Sequence, residues 1–143
     1  MMEDEAIVKL LKEKDLRVTP QRLAIMKVLL RGGHYTGEQI FNEVKKIEPS
    51  ISLSTVYNNL EALESAGLVR SFESLGVTWY EARLEPHINV ICVDKKEIVD
   101  IDVDAEWIQE LLEERGFKVI SLNLVALAEC NKAQSLDNKL NNS

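Results

Sequence analysis

Stop and start signals cut the first 67 residues into pieces that leave room only for short helices. Thr19-Pro20 pairs an N-cap residue with a proline at the first helical position, so a helix begins there, runs through QRLAIMKVLLR and stops at Gly32-Gly33. Thr36 caps a further helix, GEQIFNEVKKIE, in which Ile40, Val44 and Ile47 recur at spacings of four and three until Pro49. Ser52 or Ser54 starts the next, STVYNNLEALESAG, with Val56, Leu60 and Leu63 as its buried stripe and Gly67 just past its end. Ahead of all three, residues 3–14 form a helix with Ile7, Leu10 and Leu11 on one side.

The period then changes. LVRSFES-LG-VTWYEA reads as two strands around Leu75-Gly76. Three helices followed by a two-stranded wing make a winged helix-turn-helix. From Leu84 a second pattern begins, with strands over 88–93 and 97–101 turning at Asp94-Lys95-Lys96. A helix follows from an Asp104 cap, with Trp107, Ile108, Leu111 and Leu112 inward and Gly116 at its end, and FKVISLNLVALAE makes a long apolar strand. About 45 ordered residues are too few for a self-sufficient core, so this part is expected to dimerise. The fold class is α+β: a winged helix-turn-helix over 1–83, then a small α/β dimerisation domain over 84–130. The tail 131–143, NKAQSLDNKLNNS, has little to bury and is expected to be disordered.

Composition matters chiefly through charge. A net charge of −7 on 143 residues argues against nucleic acid at first sight. Residues 1–83, however, carry 11 basic and 12 acidic groups, and 9–31 hold seven basic residues against Glu13 and Asp15. Since charges farther apart than roughly 8 Å are screened at cellular salt, that basic segment can grip phosphates despite the acidic whole; a solvated helix face explains the same charges. No segment has the length and apolarity of a membrane span or the make-up of a signal peptide, so a cytoplasmic protein is expected. Gly-rich phosphate loops and recognisable catalytic signatures are absent from the sequence, and an enzyme is not expected.

The exposed side of the fourth helix carries Ser54, Thr55, Tyr57, Asn58 and Asn59. Asn can pair bidentately with adenine, and Tyr or Thr can touch a thymine methyl group; the same residues also suit an ordinary solvated face. LRVTPQRLAIMKVL, H-Y-T-G-E-Q-I-F and ISLSTVYNNLEALESAGLV, in this order and spacing, resemble the ferric uptake regulator (Fur) family, and GFKVISLNLVALAEC resembles its closing strand. The likeness covers roughly residues 7 to 130.

The resemblance implies a homodimeric, metal-responsive transcriptional repressor that binds palindromic double-stranded DNA. Tyr57 matches the family's base-contacting tyrosine and Arg17 a basic residue that enters the minor groove. Asn58 stands where the family usually has arginine, and the fourth helix has no Lys or Arg, which implies weaker or more A·T-directed binding. His34, Glu81, His87 and Asp100 match ligands of a regulatory divalent metal, while Asn89 replaces the second histidine of an H-x-H pair. Two imidazoles with oxygen donors suit Fe²⁺, Mn²⁺ or Zn²⁺; the same residues also suit a hydrogen-bonded polar cluster that holds no metal.

Many relatives hold a structural zinc with two C-x-x-C pairs. Here these read Cys92-Val-Asp-Lys95 and Cys130-Asn-Lys-Ala133, so no Cys₄ zinc is expected. Leu122 stands where the family has an accessory histidine. The lost site would still gather Cys92 and Cys130, as two buried thiols in a reducing cytosol or as a disulfide. Two other functions stay open: a Fur-like DNA-binding protein without metal control, and a metal-buffering or redox protein using His34, His87 and Cys92.

Overall fold

The computed structural model describes residues 4–82 and 85–131, and the chain divides into two compact units, Met1–Leu84 and Glu85–Ser143. In the first unit α1 (Asp4–Glu13), α2 (Pro20–Leu29), β1 (Tyr35–Thr36), α3 (Gly37–Val44), α4 (Leu53–Ser65), β2 (Arg70–Ser74) and β3 (Val77–Glu81) follow in order. Local chemistry sets the helix starts. Thr19 Oγ1 accepts from the Arg22 amide at 3.1 Å, and Ser52 Oγ accepts from the Thr55 amide at 3.1 Å. Thr36 and Gln39 cap reciprocally, at 3.1 and 2.9 Å. Each such cap is worth about 1 kcal/mol.

Helix ends are equally local. Past α4, Gly67 at φ +80 lets its own amide reach Glu64 O at 2.9 Å and the Leu68 amide reach Leu63 O at 3.0 Å, the paired bonds of a Schellman ending. Ile7, Leu11, Ile25, Met26, Leu29, Ile40, Val44, Val56, Leu60 and Leu63 are buried together, with Leu68 and Val69 closing the cluster. Ile47 departs from its expected inward place and is 40% exposed, because α3 ends at Val44 and the stripe loses its period there. The wing turns at Leu75-Gly76, both at positive φ, and β3 is central in the order β1-β3-β2. The two-residue strand β1 was not anticipated.

The second unit contains β4 (His87–Cys92), β5 (Glu97–Asp102), α5 (Glu106–Glu114) and β6 (Leu124–Ala128), with sheet order β5-β4-β6. β5 runs antiparallel to β4 and β6 parallel to it. Two expectations fail here. The closing strand is five residues long rather than thirteen, since β4 offers register only from Ile88↔Leu124 to Cys92↔Ala128. Helix α5 buries no residue: Trp107 is 64% and Leu111 42% exposed, because no described element of this unit covers its apolar stripe. Its N-cap is Ala105, although Asp104 Oδ1 does accept from the Glu106 amide at 3.1 Å.

Cys92 and Cys130 form a disulfide, not two free thiols. Their α-carbons stand 5.4 Å apart, within bonding reach, because β6 runs beside β4 and delivers Cys130 to the end of that strand. Residues 132–143, which hold nearly all of the expected tail, lie outside the described residues. No helix among the described residues is long and apolar enough to cross a membrane.

Candidate metal centre and nucleic-acid interface

Strand register explains why two of the expected ligands meet. Tyr35 pairs with Tyr80 and Thr36 with Trp79; one step further along the same antiparallel ladder, His34 stands opposite Glu81. Their Nε2 and Oε2 atoms are 3.1 Å apart, with side chains only 13% and 1% exposed. A carboxylate buried to that degree needs a partner, and the imidazole supplies one. Phe72 packs edge-on against the His34 ring, 5.5 Å between centroids. The spacing also fits a shared cation: donors about 2.1 Å from a first-row ion and at right angles lie about 3 Å from each other.

The remaining expected ligands share one sheet face in the second unit. The register pairs His87 with Asp102 and Asn89 with Asp100, and alternation along each strand puts all four side chains on the same side. His87 is 3% and Asn89 2% exposed. His87 Nδ1 lies 2.8 Å from the Glu85 carbonyl oxygen. A carbonyl only accepts, so Nδ1 carries a proton, which leaves Nε2 as the ring nitrogen available to a ligand. Asp102, which was not among the expected ligands, is exposed on this face opposite His87. In the same unit Cys130 donates its amide to Asp94 Oδ1 at 3.0 Å, which ties the turn after β4 to the disulfide.

On α4, Ser54, Tyr57 and Asn58 are exposed and Thr55 is half-buried, its hydroxyl 2.8 Å from Ser52 Oγ. Tyr57 lies across the start of α3, where a β-carbon on Gly37 would overlap its ring. The phenol borders a cleft of about 470 Å³ whose other walls include Thr36, Val77 and Thr78 of the wing side. Burial, then the charge of Glu64, pushes the neighbouring Tyr80 phenol above its ordinary range, so it stays neutral. Arg17 is exposed on the loop before α2.

Asn59 does not join the free polar face. Its Oδ1 accepts from Arg22 Nε at 2.9 Å and its Nδ2 donates to Thr55 O at 2.8 Å. Arg22 was not among the expected site residues. A basic residue in the first turn of α2, where the helix dipole favours an acid, was the available signal.

The model of the Ferric uptake regulator family matches residues 13–127. A ferric uptake regulation protein homolog from Archaeoglobus fulgidus is 39% identical over 116 residues, 80% of this chain and 88% of that one. Among solved structures, the ferric uptake regulator of Pseudomonas aeruginosa with manganese aligns with a TM-score of 0.70 at 29% identity, covering 92% of this chain and all of the other, 100%. The Campylobacter jejuni peroxide stress regulator aligns at 0.65 with 34% identity, covering 92% and 99%. The chain belongs to the ferric uptake regulator family of transcriptional regulators.

Proposed function

We propose that the protein is a cytoplasmic, metal-responsive repressor that binds palindromic operator DNA as a homodimer. The observation that carries the metal half is the buried His34–Glu81 pair, two donors at the spacing of neighbouring ligands inside the DNA-reading unit. His34, Glu81, His87, Asn89 and Asp100 would hold one divalent ion, with Asp102 as a further oxygen donor. Asn89 offers a carbonyl oxygen where imidazole would bind more tightly, so the site is weaker than one with two adjacent histidines. Manganese in the Pseudomonas aeruginosa relative supports a hard, oxygen-tolerant choice of metal. The peroxide stress regulator from Campylobacter jejuni makes peroxide a second candidate signal.

The DNA half rests on chemistry of the exposed residues. Tyr57 and Asn58 present groups able to read A·T-rich major groove, with Ser54 and Thr55 at the helix start. Arg17 supplies a cation for the adjacent minor groove. Dimerisation is supported by the uncovered apolar residues Trp107, Leu111, Phe117, Ile120 and Leu127, which one chain leaves 42% to 71% exposed. Ligands drawn from both units would let metal favour the arrangement in which two reading helices enter successive major grooves, about 34–36 Å apart. Metal then acts by binding one arrangement better than the other.

Elemental analysis of the purified protein, with a Mn²⁺ titration of wild type and His34→Ala, tests the metal assignment. One regulatory ion per chain, weakened at least tenfold in the variant, is expected; equal affinity in both removes His34 from the site. DNA binding without metal control is the alternative that Asn89 favours, and equal operator affinity with and without metal would select it.

A further inference from the structure

We infer that Arg22 is a positioning residue that locks the minor-groove arm to the reading helix, so that Arg17 and Tyr57 engage DNA as one unit; this rests on the DNA-binding reading above. Arg22 is half-buried at the third position of α2, and its backbone amide is already committed to the Thr19 cap. Its guanidinium spans two elements. Nη1 donates to the main-chain carbonyl of Arg17 at 3.0 Å, and Nε donates to Asn59 Oδ1 at 2.9 Å. Asn59 passes the constraint on, since its Nδ2 holds Thr55 O at 2.8 Å in the first turn of α4. A continuous chain of four residues therefore links the backbone that carries Arg17 to the turn that presents Ser54, Thr55 and Tyr57.

The residue types argue for this role. A planar guanidinium can donate in two directions at fixed angles, which an ammonium on a flexible stem cannot. A positive charge near a helix N-terminus is electrostatically unfavourable, so a helix start alone gives no reason for Arg at this place. Both ends of the Asn59 amide carry an internal hydrogen bond, which fixes its orientation and makes it a structural part of the interface.

The test uses the full-length protein and a duplex selected by it from a random library. Operator affinity, its dependence on salt and thermal melting are measured for wild type, Arg22→Gln, Arg22→Lys, Asn59→Ala, Arg17→Ala and Arg17→Ala/Asn59→Ala. The expected result is a five- to tenfold loss of operator affinity in Asn59→Ala, with non-specific binding and salt slope unchanged. Arg17→Ala should cost less in the Asn59→Ala background than alone, because the arm is no longer held, and Arg22→Lys should not rescue. Amide exchange of residues 16–19 should accelerate in Asn59→Ala even without DNA. Additive effects of Arg17 and Asn59, or wild-type affinity in Asn59→Ala, would overturn the inference while leaving DNA binding intact. A salt slope lowered by about one phosphate contact in Arg22→Gln, with none of the coupling, would reassign Arg22 to the phosphate backbone. A wild-type protein that selects no sequence would remove the DNA-binding reading itself, and this inference with it.

Discussion

Reducing the Cys92–Cys130 disulfide should unfasten the second unit. The bond joins positions 38 residues apart, and the chain-entropy relation for a loop of that size gives about 4 kcal/mol at 25 °C as an upper bound. That is a large share of the 5–15 kcal/mol that roughly spans ordinary domain stabilities. The unit has little else to draw on. Its described core is small, the two cysteines and Val99 with Val90, Ile101 and Ala128 packed around them plus buried Ile91 and Ala105, and α5 itself buries nothing. Urea unfolding of metal-stripped protein, followed by Trp107 fluorescence in a Trp79→Phe background, reads this unit selectively. Oxidised protein should show a clearly higher midpoint than protein held in reductant, and Cys92→Ala/Cys130→Ala should behave like the reduced form. The double substitution also avoids leaving one unpaired thiol. Identical midpoints in oxidised and reduced protein would refute the reasoning, as would stoichiometric zinc bound to the reduced thiols.

Three further outcomes follow from the same geometry. Tyr57→Ala and Arg17→Ala should each weaken binding to the selected duplex by roughly tenfold, the scale of one lost base or groove contact, and unchanged affinity in an anisotropy titration would exclude both residues from the interface. Trp107→Ala/Leu111→Asp should shift the protein from dimer to monomer in sedimentation at micromolar concentration; a variant that stays dimeric would place the contact elsewhere. Glu43, bonded to Lys46 at 2.9 Å and Arg31 at 2.8 Å, has its carboxyl held below the ordinary carboxylate range, first by the Lys46 hydrogen bond and then by that of Arg31. Because its folded pKa is depressed, any stabilisation it gives is present above the unfolded carboxylate pKa and lost as pH falls through the folded one. The pair lies at the surface, with the Glu43 side chain 32% exposed, and is screened by salt, so Glu43→Gln should flatten the acid limb of a stability–pH curve only slightly, and only at low ionic strength.

What could be read from the chain was what a few adjacent residues decide. Thr19, Thr36 and Ser52 each bond an amide three positions ahead, and Leu75-Gly76 turns its hairpin within two residues. The winged helix therefore followed from spacing and periodicity alone. Burial in the second unit did not, because the fate of Trp107 and Leu111 depends on what covers them and not on their period. The closing strand was overlong for a related reason: apolar content extends through Phe117 and Ile120, but pairing ends where β4 ends. Within the candidate site, the family likeness supplied His34 and Glu81, and the β1–β3 register gave the physical reason they meet. The Arg22–Asn59 bond joins residues 37 positions apart, a distance over which no local pattern speaks.

The central claim is that metal controls DNA binding through a site one imidazole short. Fluorescence anisotropy of the selected duplex, titrated with metal-stripped protein and again with Mn²⁺ present, tests it most directly. Affinity should rise at least tenfold with metal, within the usual 5- to 150-fold span of roughly 1–3 kcal/mol of coupling, and the rise should vanish in His34→Ala and His87→Ala. Metal-stripped protein that binds the duplex as tightly as metal-loaded protein would contradict the account.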